Sequence, residues 1–132
     1  MSREHRILIV DDDAIMRAFI GSLLAEQGYW HVEQAEDGDT ALAMMRADHF
    51  DLLLTDWNMP GMSGLELLKA VRADPALVHV PVLIVTSETQ RTRIEEAARC
   101  GVTGYIMKPS LARTLGDKVD LILRRPADAR QD

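Results

Sequence analysis

The feature that most constrains this chain is an alternation. Short apolar runs rich in branched residues are each followed by a longer segment with apolar residues at helical spacing. The runs are residues 7–10, 32–35, 52–55, 82–86 and 104–107, of which the second is the least apolar. Runs this continuous suit a parallel sheet covered on both faces, where neither side of a strand meets water. Between them, Ile15, Phe19, Leu23 and Leu24 predict one buried helical stripe. Ala41, Leu42 and Met45 predict a second, and Leu65, Leu68 and Val71 a third. Ile94, Ala97 and Ala98, then Leu115, Val119 and Ile122, supply the fourth and fifth. Gly28, Pro75 and Gly101 follow the first, third and fourth helical segments, where such residues end helices. Five β/α units with right-handed crossovers predict an α/β fold with a doubly wound parallel sheet. Its ligand crevice would lie at the carboxyl ends of the strands.

A length of 132 residues and a hydrophobic content of 47% suit one buried core. The expected division is one domain over residues 1–125 and a polar C-terminal tail over 126–132, because Pro126 predicts a helix stop. A net charge of -6 argues against direct nucleic-acid binding, which needs a clustered basic face. The one cysteine, Cys100, can form no internal disulfide and is compatible with a reducing cytoplasm. The apolar run before Asp11 is too short for a signal peptide. No segment approaches the roughly 20 apolar residues of a spanning helix. A cytoplasmic protein without membrane insertion is therefore expected.

The strand ends carry the polar groups. The first ends in Asp11-Asp12-Asp13, the third in Thr55-Asp56 and the fourth in Thr86-Ser87, while Lys108-Pro109 follows the fifth. Carboxylates gathered in a partly dry crevice repel one another unless a cation joins them. Mg2+ suits such a set because it takes oxygen ligands and keeps exchangeable waters. Asp12 and Asp56 are the expected direct ligands, and Asp13 is expected at the N-cap of the first helix. Asp56 is a plausible nucleophile toward phosphorus, with Lys108 as a mobile positive charge and the Thr86 hydroxyl as a neutral donor.

These residues resemble the receiver domain of bacterial two-component response regulators, in particular its CheY-like members. The segments ILIVDDD, DLLLTDWNMPGMSG, VPVLIVTSE and GYIMKP carry the resemblance, which spans about residues 5 to 124. It implies a flavodoxin-like sheet of order 2-1-3-4-5, the order that CheY itself has. It implies that Asp56 accepts a phosphoryl group from a histidine kinase or phosphotransfer domain. It also implies that Asp11 holds Mg2+ chiefly through water and that the Asn58 backbone carbonyl is a further ligand. Thr86, Ser87, Lys108 and Pro109 then form the phosphate-binding and switch positions, with a cis peptide bond before Pro109. Tyr105 matches an aromatic that turns inward on phosphorylation, and Asn58 and Glu88 match positions that set the phosphoryl lifetime. Arg91, Ala98, Tyr105 and Lys118 fall on the implied docking face for a downstream protein, made of the fourth helix, fifth strand and fifth helix. Ser110 departs from the aromatic that is frequent after this Lys-Pro pair.

The expected role is a single-domain switch in chemotaxis or motility, a self-modifying acceptor and not a turnover enzyme. A receiver cut from a larger regulator and a phosphoryl shuttle in a relay are the alternatives. Asp11-x-Asp13 also resembles haloacid-dehalogenase-type phosphatases, which would move the nucleophile to Asp11 and leave TDWNMPGMSG unexplained. A flavin carrier would need a Ser/Thr-rich loop after the first strand. Trp57 stands beside the site, and His5, His31, His49 and His79 lack metal-ligand spacing.

Overall fold

A computed structural model describes residues 4–87 and 90–131, with side chains through residue 123. Five strands alternate with five helices: β1 (Arg6–Val10), α1 (Ala14–Glu26), β2 (His31–Ala35), α2 (Gly38–Ala47), β3 (Leu52–Thr55), α3 (Gly64–Ala73), β4 (Val82–Thr86), α4 (Arg91–Arg99), β5 (Gly104–Met107) and α5 (Leu111–Gln131). A short 3-10 turn, Lys108–Ser110, joins β5 to α5. The strands pair in parallel in the order β2-β1-β3-β4-β5, which is the expected doubly wound arrangement.

Alternation along each strand builds two cores. Leu8, Val10, Leu53, Val82 and Ile84 face α2, α3 and α4. Ile7, Ile9, Leu52, Leu54, Leu83 and Val85 face the other way, onto Ile20 and Leu24 of α1 and Leu115 and Val119 of α5. A strand wetted on neither side needs apolar residues at every position, which is why β3 and β4 are buried throughout. At the edge of the sheet, β2 is only partly covered, and its sequence HVEQA is correspondingly mixed.

The helices are anchored unequally. A capping box closes the start of α3, with Ser63 and Glu66 each bonding the other's backbone amide, and five of its residues are buried. In α4 the N-cap residue Gln90 makes no side-chain cap, and Ala97 is the buried residue. The far end of α4 is held from outside: Arg72 donates from Nε to the Gly101 carbonyl at 3.0 Å and from Nη1 to the Val80 carbonyl at 2.7 Å.

Three expectations are corrected. Ile15 is 81% exposed and Phe19 is also exposed, so they do not form the buried stripe of α1. Met16, Ile20, Leu23 and Leu24 face the core instead, since both sets share the same four-residue spacing and the sheet selects one of them. Next, α5 continues through Pro126 to Gln131, so the expected tail is helical over most of its length. A proline inside a helix removes one N–H, and the following Ala127, Ala129, Arg130 and Gln131 are good helix formers. Finally, the peptide bond before Pro109 is trans, not the cis bond implied by the resemblance. The four-carbon stem of Lys108 reaches inward without it.

The corrected face of α1 predicts unequal costs of truncation. Ile20→Ala should lower the unfolding free energy in urea by about 2–5 kcal/mol. Ile15→Ala should change it by less than about 0.5 kcal/mol, and equal losses would restore the stripe first expected.

Candidate functional site

Backbone pairing sets the centre of the site. Val10 and Thr55 are register partners, and the Asp56 amide donates to the Val10 carbonyl at 3.0 Å. Asp11 and Asp56 therefore leave the sheet side by side. Both are buried, at 1% and 7% exposure, while Asp12 is exposed. One carboxylate oxygen from each of Asp11, Asp12 and Asp56 lies within 4.8 Å of the others. Asp13 turns away as the N-cap of α1 and accepts from the Ile15 amide at 2.9 Å, as expected.

Each buried carboxylate is held by one backbone donor and one cation. The Asp13 amide donates to Asp11 Oδ1 at 2.9 Å, and the Trp57 amide to Asp56 Oδ1 at 2.7 Å. Lys108 Nζ lies 3.4 Å from Asp11 Oδ2 and 3.2 Å from Asp56 Oδ2. Burial, with the Asp56 carboxylate adding to it, raises the pKa of Asp11 above the usual carboxylate value. The pKa of Lys108 is also raised. Burial alone would lower it, but Asp56 and Asp11 together outweigh that effect.

A close approach shapes the loop above Asp56. A Cβ on Gly64 would stand 2.1 Å from the Asp56 carbonyl oxygen, so the start of α3 can pass over the strand end only without a side chain. Gly61, with φ of +74°, makes the turn before it. Trp57 is buried in the core, and the Arg93 guanidinium lies 5.6 Å over its ring. A cleft of about 610 Å³ opens beside them, lined also by Met59, Leu65, Glu66 and Lys69.

The remaining residues singled out in the sequence divide by location. Thr86 is fully buried at the end of β4, the strand next to Asp56's own, and Ser87 after it is exposed. Asn58 and Pro109 are exposed, and Glu88 lies outside the described residues. Arg91 and Ala98 on α4 and Lys118 on α5 are exposed, while Tyr105 on β5 is half-buried and packs against the core on the α3 and α4 side.

Sequence reasoning passed over Arg17. Its Nη1 donates to the Asp11 backbone carbonyl at 2.5 Å, and its Nε to the Gln34 side chain at 3.0 Å. A basic residue one helical turn after the capping Asp13 was the available signal, because helical side chains lean toward the N-terminus.

The oxygen set of Asp11, Asp12 and Asp56 fits a hard divalent cation, and receiver domains bind Mg2+ at such an acidic pocket. Comparison with known proteins agrees. The family model for the response regulator receiver domain matches residues 7–120. The chain is 52% identical over 120 residues to the chemotaxis protein CheY of Pseudomonas aeruginosa, covering 91% of this chain and 97% of the relative. It is 49% identical over 125 residues to the chemotaxis protein CheY-3 of Vibrio cholerae, covering 95% and 96%. Among solved structures, the chemotaxis protein CheY4 of Vibrio cholerae superposes with a TM-score of 0.83 at 35% identity, covering 90% of this chain and 98% of the other. Among the described residues, no helix is long and apolar enough to cross a membrane.

The electrostatics predict a trade between stability and chemistry. Because the folded state raises the Asp11 pKa, it holds that proton more tightly than the unfolded chain does. This group's contribution to stability therefore grows as pH falls from the raised value toward 3.8. Asp11→Asn should stabilise the metal-free protein near neutral pH, and the gain should shrink on acidification through that window. Denaturant titrations of both proteins in a chelator across this range would reveal it; a gain independent of pH would contradict the electrostatic cause.

Proposed function

The chain belongs to the response regulator receiver family, and from that premise we propose that it is a single-domain switch operated by phosphorylation of Asp56. One observation supports the assignment above the rest: three stretches far apart in sequence bring Asp11 and Asp12, Asp56, and Lys108 together from the ends of β1, β3 and β5. In the proposed step, an Asp56 carboxylate oxygen attacks the phosphorus of a phosphohistidine on a histidine kinase or phosphotransfer domain. The P–N bond breaks, and its electron pair stays with the imidazole nitrogen. Asp11, Asp12, Asp56 and the Asn58 backbone carbonyl would hold Mg2+, which supplies charge neutralisation for the incoming phosphoryl oxygens.

The protein's own groups do the rest. Lys108 moves its ion pairing from the carboxylates to the phosphoryl oxygens, and the Thr86 hydroxyl donates to another of them, with Ser87 and Pro109 shaping the rim. Phosphorylation then shifts the population toward the arrangement in which Thr86 reaches the phosphoryl group and Tyr105 turns inward. The surface that reads this shift is the face of α4, β5 and α5, with Arg91, Ala98, Tyr105 and Lys118 as contacts. Asn58 and Glu88 set how long the acyl phosphate survives. Two relatives are named as chemotaxis proteins, and on that basis we assign the output to a protein partner in chemotaxis signalling within the cytoplasm.

Incubation with Mg2+ and acetyl phosphate, followed by intact mass, tests the acceptor. The wild type should gain one labile phosphoryl group, while Asp56→Asn and a sample in chelator should gain none. Retained incorporation in Asp56→Asn would transfer the nucleophile to another residue, with Asp11 as the candidate. Thr86→Ala should keep the phosphoryl group but lose the difference in partner capture between the two states.

A further inference from the structure

We infer that Arg17 is a positioning residue for the metal centre, fixing the peptide that joins Asp11 to Asp12 and so the relative direction of their carboxylates. This rests on the reading of those carboxylates as Mg2+ ligands. The carbonyl that Arg17 grips belongs to that peptide plane. A fixed peptide plane restricts ψ of Asp11 and φ of Asp12, the two soft angles between these residues, and any uncompensated change in either would turn one side chain relative to the other.

The junction is pinned on three sides. The Asp11 amide donates to the Ala35 carbonyl of β2 at 3.2 Å, the Asp13 amide donates to Asp11 Oδ1 at 2.9 Å, and Arg17 Nη1 closes on the Asp11 carbonyl at 2.5 Å. The first two hold the amide and the side chain of Asp11. Arg17 holds the carbonyl, the remaining polar group of the residue. The guanidinium is itself fixed, because its Nε donates to Gln34 Oε1 on the exposed edge strand. A planar fork can serve both acceptors at once, whereas an ammonium offers a single charged point.

Charge alone would act in the opposite direction. A cation near three carboxylates repels Mg2+, so its removal would tighten metal binding. Positioning predicts weaker binding, and the sign of the effect distinguishes the two.

The experiment is calorimetric titration of Mg2+ into the full chain, with thermal unfolding in chelator measured in parallel. Arg17→Ala should weaken Mg2+ binding by about tenfold, the lower end for groups that orient metal ligands. Arg17→Lys should recover only part of this. Gln34→Leu should weaken binding less than Arg17→Ala and add nothing further in the double variant. Unchanged or tighter binding in Arg17→Ala overturns the inference, as does full recovery by lysine or an additive effect of Gln34→Leu. If Arg17→Ala does not fold, Gln34→Leu decides alone, and unaltered Mg2+ affinity there overturns the inference. Absence of Mg2+ binding by the folded wild type would overturn the ligand reading and this inference with it. Normal wild-type binding with an unaffected Arg17→Ala would overturn this inference only.

Discussion

Two carboxylates are buried side by side because the backbone of two neighbouring parallel strands leaves no other place for the residues that follow. Once the Asp56 amide bonds to the Val10 carbonyl, Asp11 and Asp56 must share one small volume. Like charges at that separation raise one another's cost of ionisation, and the cost is met by Lys108, which bridges Asp56 Oδ2 and Asp11 Oδ2. The surrounding structure serves that triad. The 3-10 turn after β5 delivers the lysine, Gly64 allows α3 to pass above Asp56, and Asp13 caps α1 instead of adding a charge to the buried pair.

In the proposed reaction, this dependence gives an incoming phosphoryl group a cation to compete for. Two buried carboxylates share one lysine, so any incoming anion would compete with both for the same cation. A group bound to Asp56 would change the partners of Lys108 without requiring a new cavity. The remaining rearrangement can fall on Thr86 and the elements beyond it.

Much of this was legible in the sequence, for physical reasons particular to each element. The spans of β3 and β4 coincide with their apolar runs because these strands are buried along their whole length, and β5, a half-buried edge strand, coincides with its run between Thr103 and Lys108. β1 and β2 begin one residue earlier, at Arg6 and His31, where polar side chains join the ladder. The strand-end carboxylates and Lys108 could be found because topology brings strand ends together. The buried face of α1 could not, since Ile15–Phe19 and Met16–Ile20 are equally helical pairs and only the sheet beneath distinguishes them. Arg17 was hidden for a different reason: its importance lies in where a flexible side chain reaches, which periodicity does not encode.

The unequal anchoring of α4 has a mechanical consequence. Arg72 ties the loop after α4 to the rest of the molecule through the Gly101 carbonyl, while the start of the helix lacks a side-chain cap and Ala97 is its buried residue. Its amino-terminal half is fastened differently, by the Arg93 guanidinium over the ring of Trp57, so α4 is tied through a side chain to the residue next to Asp56 and through a backbone carbonyl at its far end.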